Sequence, residues 1–324
     1  NVEYGYENRY FLSVNAAMDG SSRFGTNANG LKIGKNVFGV FPSLSGAWLI
    51  SSEDFMKNQS VFDVLKLRAG YSITGNDDIG NYYYVSQGLL GAYGLLRGNI
   101  PNANLKWETN KKAVLGLDAS LLKERLNISI DVYNSKTSDL ISLKKLSTLS
   151  GFSFAIMNDG SLQNNGIDLS INGRIVDKKH FKWDAGINVS AYKNTLLSLS
   201  ANEEFNTVAG GLVRTKVGAP LAQFYGYQTD GILNSTDEAT AANLKIKNPY
   251  GVEVPFTAGD VKFVDNKNDG LIDENDMTVI GDPNPDFFGS FVNSLQYKRF
   301  TLNATFTFMV GNDVYNALRA NLES

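Results

Sequence analysis

The sequence predicts an all-β protein and, within that class, a transmembrane antiparallel up-and-down β-barrel. Three observations point there. Hydrophobic residues recur with period two in segment after segment, as they do in strands with one apolar and one polar face. Most of these segments are as long as the roughly 9–11 residues that a tilted strand needs to cross a bilayer, whereas soluble strands average about 5–6. Their connections alternate between short and long, so every short one falls at one end of the meander and every long one at the other.

Nine strands are expected, over residues 9–18, 37–49, 62–74, 107–122, 126–138, 164–176, 181–192, 286–297 and 300–310. Rings mark the ends of several: Tyr10 and Phe11, Phe41 and Trp48, Trp107, Tyr133, Phe181 and Trp183, Phe287 and Phe288, and Tyr297 and Phe300. Such rings suit an interfacial girdle, because an amphipathic ring is most stable at headgroup level. Cross-strand pairing is the other reading for any one of them. In 126–138, Leu126, Ile128, Ile130 and Val132 share one face, and Asn127, Ser129, Asp131 and Tyr133 the other. In 164–176, Ile167, Leu169 and Ile171 oppose Asp168, Ser170 and Asn172. Trp183, Ala185, Ile187 and Val189 repeat the pattern in 181–192, and Phe300, Leu302, Ala304, Phe306 and Phe308 in 300–310.

Alternation alone does not separate a membrane barrel from a soluble sandwich, since the two faces exchange roles. The connections do more. Residues 123–125, 177–180 and 298–299 form short ones, with a longer one at 50–61, while 19–36, 75–106, 139–163 and 193–285 are long. Short turns at one end and long loops at the other are the asymmetry of outer-membrane barrels. All of residues 1–324 then belong to one barrel domain, and Leu126, Ile128, Ile130 and Val132 are expected to face lipid.

Composition agrees. Apolar residues make up 43% and charged residues 19%, the latter below the roughly 25% of an average soluble protein. With 31 Gly, 7 Pro and 11% aromatics, strands and turns are favoured over a helical bundle. A net charge of −3 without a long basic block excludes the electrostatic footprint of a nucleic-acid binder. The absence of cysteine excludes disulfides and thiolate metal sites. No run of 18 apolar residues occurs, so no transmembrane helix is expected. The first residues, Asn1 to Tyr4, lack the features of a signal peptide, and in an exported protein they are not its true beginning.

One constellation has ligand spacing. Asp265 to Asp276 reads as a twelve-residue calcium loop, with Asp265 at position 1, Asp269 at 5, Gly270 at the sharp turn, the Leu271 carbonyl at 7, Asp273 at 9 and Asp276 at 12. Lys267 at position 3 and the short Asp276 at 12 depart from that pattern. The other reading is a metal-free acidic turn closed by bonds from Asp and Asn side chains to the backbone. Tyr82, Tyr83, Tyr84 and Tyr93 are candidate substrate-binding residues at the mouth, stacking on a sugar ring or packing a peptide; packing of their own loop is the alternative. Catalysis is not expected. His180 is the only histidine and has no partner set, and the adjacent Gly210 and Gly211 lack the context of a phosphate loop.

Several stretches resemble the C-terminal half of the SusC/RagA-type TonB-dependent transporters. Phe41 to Trp48 (FPSLSGAW) is similar to that family's FPS-x-S-x-x-W strand, and Leu65 to Asn76 (LKLRAGYSITGN) to its LKLR-x-x-Y-x-x-TGN segment. Asn104 to Thr109 (NLKWET) resembles a further signature, followed by Gly116-Leu117-Asp118 and by Asp131 to Thr137 (DVYNSKT). Asn164 to Leu169, Gln223 to Tyr227 and Asp282 to Gly289 (DPNPDFFG) complete the series in family order. The resemblance implies a portion of a 22-stranded barrel with a plug in its lumen, importing a glycan or oligopeptide beneath a SusD-like lipoprotein with energy supplied through TonB. It also implies that the plug, the TonB-contacting segment and the closing strands lie outside this chain, since a nine-strand piece leaves two edges that lipid does not tolerate. The rival reading is an adhesive or structural β-protein, in the outer membrane or secreted, whose loops bind a surface partner.

Overall fold

The computed structural model describes residues 1–25, 27–28, 30–34, 36–80, 88–91, 94–97, 100–152 and 154–323. These divide into two compact units. The first comprises Asn1–Asn202, Val217–Ala219 and Asp286–Val310, and the second Glu203–Lys216, Pro220–Pro285 and Gly311–Ser324.

The first unit is built on one antiparallel sheet. Its strands are β1 (Val2–Tyr6), β2 (Tyr10–Gly20), β3 (Asn36–Leu49), β4 (Phe62–Asn76), β5 (Glu108–Leu121), β6 (Leu126–Ser138), β7 (Ser161–Lys178), β8 (Phe181–Ser198), β9 (Phe287–Tyr297) and β10 (Phe300–Val310). Each pairs with its neighbours in chain order, and a short strand, Leu31–Ile33, pairs with β3 beside this path. The nine expected strands are β2 to β10. Strand β1 was not expected, because five residues are too few to establish a period. It joins β2 through a β-turn in which Arg9 N–H donates to the Tyr6 carbonyl at 3.0 Å. Glu7 and Asn8 carry positive φ there (51° and 53°), the conformation of a type I′ hairpin. The added turn falls at the short-connection end and extends the alternation by one. Strands β7 and β8 are each 18 residues long and overrun their expected limits.

Register turns the alternation of single strands into two continuous faces, because residues directly opposite one another in an antiparallel pair project to the same side. One row runs Tyr6, Tyr10, Trp48, Leu67, Leu117, Ile130, Leu169, Val189 across β1 to β8. The next runs Tyr4, Leu12, Gly46, Ala69, Leu115, Val132, Ile167, Ala191. These side chains are not enclosed: Leu115 is 49% and Val132 43% exposed. Leu126, Ile128, Ile130 and Val132 therefore lie on a broad open apolar face rather than in an interior core.

The core of this unit sits instead among the long connections. Phe24, Ala28, Ile79, Leu105 and Ile156, drawn from three loops, pack together with Val37, Trp107 and Ile141 against them. Trp107 meets Phe24 edge-on at 5.1 Å and Phe41 at 5.4 Å between centroids. Phe41 shares the polar side of β3 with Ser43 and Ser45, so Phe41 and Trp107 serve this loop core and not the girdle expected of them. Tyr10 and Trp48 do stand on the apolar face at the short-connection end, in a stack with Tyr6.

The second unit corrects the expectation of a long loop over 193–285. Beyond β8, the chain forms a four-stranded sheet from Glu203–Val208, Gly211–Lys216, Gln223–Gly226 and Thr278–Gly281, with two smaller sheets. A helix, Thr236–Ala242, is capped by Ser235 and ends on Asn243 in the left-handed conformation (φ 50°). Val213, Leu233, Ala239, Leu244 and Ile272 are the buried apolar residues of this unit. Strands of two to six residues carry too few alternations to stand out in a sequence.

Candidate functional site

The polar face of the first unit carries a cluster of interacting charge. Arg68 on β4, Gly116 on β5 and Asp131 on β6 stand in one row, and Asp118 and Ser129 in the next. The Arg68 guanidinium grips Asp118 with two bonds, Nε to Oδ2 at 2.7 Å and Nη2 to Oδ1 at 2.8 Å. Nη2 also donates to Asp131 Oδ2 at 3.1 Å and stands 3.0 Å from Oδ1, which has no hydrogen bond of its own. The Ser129 hydroxyl donates to Asp118 Oδ1 at 2.8 Å. A two-pronged arginine–carboxylate pair fixes geometry as well as charge. Gly116 makes it possible, since a Cβ there would stand 2.8 Å from Arg68 Cζ and collide with Asp131. Each member is about a third exposed or less, so water screens the pairs only in part.

Toward the long-loop end the same face turns from charged to amide and hydroxyl. Asn110 Nδ2 donates to Ser135 Oγ at 2.9 Å and Thr137 Oγ1 at 2.8 Å, and Asn194 Nδ2 to Asn164 Oδ1 at 2.7 Å. Tyr133 lies across Gly166, where a side chain would strike its ring, and Lys112 Nζ sits 4.5 Å above that ring. Beside Arg68, a concavity of about 530 Å³ is lined by Glu3, Phe11, Ser13, Ser45, Lys66 and Gly70, among others. This face offers charge, amides and rings to whatever fills the space before it, without a nucleophile and base in partnership.

The mouth is tied by a second set of polar residues. Asn158 donates from Nδ2 to the carbonyls of Lys106 and Asp139, both at 2.8 Å, and accepts from Lys106 N–H at 2.9 Å. Lys106 Nζ pairs with Asp139 at 2.8 Å, and Glu108 accepts from Asn76 Nδ2 at 2.8 Å and from Ile141 N–H at 2.7 Å. The NLKWET stretch is thus a structural knot: Leu105 is fully buried, Trp107 packs beside it, and Lys106 and Glu108 bind neighbouring loops.

The calcium-like loop holds itself by backbone donors. Asp265 accepts from the N–H groups of Asn268, Asp269 and Gly270 at 2.6, 3.3 and 2.7 Å. Asp276, 0% exposed, accepts from Lys267 and Asp273 N–H at 3.2 and 2.9 Å. Asp269 caps Leu271 and Asp273 caps Asn275. Gly270 takes φ 79°, as the sharp turn requires. The N–H bonds, that of Gly270 foremost, hold the Asp265 carboxyl below the usual aspartate range against an opposing effect of burial. Among the described residues no three acidic or histidine side chains converge as a metal site. Tyr82, Tyr83, Tyr84 and Tyr93 lie outside the described residues.

Sequence reading did not single out Arg68, Asp118 and Asp131, although all three lie within the family-like stretches quoted above. Their signal is register. Separate motifs on β4, β5 and β6 become one cluster only when the pairing of the strands is known.

Comparison with known proteins agrees with this architecture. Residues 1–318 match the family described as "TonB dependent receptor-like, beta-barrel". TonB-dependent receptor P3 of Formosa agariphila is 33% identical over 97% of this chain, and TonB-dependent receptor SusC of Bacteroides thetaiotaomicron 29% identical over 99%. The chain spans 32% and 31% of their respective lengths. A structure titled as the RagAB peptide importer in the "closed-closed" state shares the fold, with a TM-score of 0.76 at 24% identity, over 96% of this chain and 32% of that one. With the two-faced sheet, the alternating connections and the family match in agreement, this chain belongs to the TonB-dependent receptor-like β-barrel family.

Proposed function

We propose that the full receptor carrying this chain lies in the outer membrane of a Gram-negative bacterium. There it imports a large nutrient, a glycan or an oligopeptide, with energy from TonB and with a SusD-like surface lipoprotein as partner. The observation that carries this reading is the pair of faces. The apolar face meets lipid along rows such as Leu117, Ile130 and Leu169, and the polar face, with Arg68, Asp118 and Asp131, lines a lumen. The names SusC and RagAB peptide importer, borne by similar proteins, support the import of large cargo. The mechanism is conformational gating rather than bond chemistry. Residues of this chain supply a rigid polar wall, and the moving plug and TonB contact belong to segments beyond it. Tyr82, Tyr83, Tyr84 and Tyr93 are the proposed cargo-stacking residues of the mouth.

The test is purification of the full-length receptor, paired with growth of a deletion strain on oligopeptide or glycan as sole nutrient. The reading expects a detergent requirement, a co-purifying lipoprotein and lost growth on one nutrient class. A detergent-free soluble protein, or a deletion that impairs surface attachment and leaves uptake intact, would establish the adhesive reading instead.

A further inference from the structure

The connection between β3 and β4, residues 50–61, is the longest at the short-connection end and begins with two 3₁₀ turns, Ile50–Ser52 and Asp54–Met56. It does not simply hang from the sheet. Glu53, between the turns, is 9% exposed, and its carboxylate accepts from the Tyr10 hydroxyl at 2.6 Å, Trp48 Nε1 at 2.9 Å and Arg9 Nη1 at 3.1 Å. Tyr10 and Trp48 share the row of Leu67, Leu117 and Ile130, so the connection is folded around the strand ends onto the apolar side. Held open beside it are Phe55, 69% exposed, and Val61, 59% exposed. The local charges nearly cancel: Asp54 pairs with Lys57 at 2.6 Å, and Arg9 is committed to Glu53.

Resting on the membrane reading above, we propose that connection 50–61 is an interfacial anchor. Phe55 and Val61 enter the boundary between headgroups and acyl chains of the phospholipids at the short-connection end. Lipid is the occupant because the connection continues the apolar face at the level of the Tyr6, Tyr10 and Trp48 rings, where amphipathic groups meet headgroups. Glu53, Asp54 and Lys57 leave it a net charge of −1, so the attachment is apolar and indifferent to anionic lipid. The Glu53 clamp sets the depth.

The test uses the full-length receptor in phosphatidylethanolamine vesicles, with and without phosphatidylglycerol. Spin labels go at Phe55→Cys, at Ile130→Cys on the apolar face and at Lys179→Cys in an exposed short turn; this chain has no cysteine of its own. Collision with oxygen relative to a water-soluble nickel chelate is expected to be several-fold higher at 55 than at 179, in both lipid compositions. If position 55 behaves like 179 while 130 is in lipid, the anchor is wrong and the barrel reading stands. If 130 is also in water, both fall. A depth at 55 that appears only with phosphatidylglycerol overturns the apolar attachment.

Discussion

Glu53 shows how one carboxylate governs a rim. Its hydrogen bonds from Tyr10 and Trp48, opposed by burial and aided by Arg9, hold it below the usual glutamate range. A carboxylate depressed in the folded state stabilises it fully above its unfolded pKa, and that contribution is lost as pH falls through the lower folded value. The melting temperature of the Glu53→Gln variant is therefore expected to lie below that of the parent at neutral pH, with the gap closing in acid. Thermal melts of both proteins across the acid range check this, and a constant gap would mean that the charge contributes nothing. The sequence made Trp48 legible as a girdle residue but left Glu53 silent. A lone acid in a polar connection has no period, and its role arises from rings that stand five and 43 residues away in the chain.

At the scale of elements, the loop knot and the acidic loop make opposite demands. Leu105 is fully enclosed by side chains from three loops, so Leu105→Ala should cost about 2–5 kcal/mol through lost contacts and a cavity. Denaturant unfolding and faster proteolysis within residues 139–160 are the measurements, and an unchanged digestion pattern would show that the loops do not depend on this core. In the loop from Asp265 to Asp276 backbone N–H groups donate to the carboxylates, an arrangement that favours the metal-free acidic turn. On that reading calcium or a chelator is expected to leave the melting temperature of the second unit unchanged, whereas a rise with calcium would establish the calcium loop instead. Spacing suggested this loop from the sequence. Whether its oxygens turn toward a cation or toward N–H groups depends on backbone torsions that spacing does not encode. The strands were far more legible, because alternation over eleven to eighteen residues repeats one physical fact many times.

For the whole molecule, the two faces predict an asymmetry between adjacent residues. Ile130→Lys places a charge on the apolar face and is expected to cost roughly 2–4 kcal/mol near the bilayer midplane, whereas Ser129→Lys, one residue away, points to the polar side and should be tolerated far better. Folding yield into vesicles distinguishes them, and equal losses would argue against a lipid-facing side. The antiparallel meander and its parity were readable before any coordinates. The polar cluster of Arg68, Asp118 and Asp131 was not, since it needs three registers at once, and neither were the short sheets of the second unit. The chain between β8 and β9, which carries most of that unit, leaves the sheet from one strand and re-enters it on the next, and these two strands are direct neighbours, with Ser190 opposite Phe288. Hydrogen bonds already zip the two strands together. Because that register is set within the two strands themselves, the length of the chain running between them is free of it, and residues added or removed there would leave every strand pairing of the sheet in place.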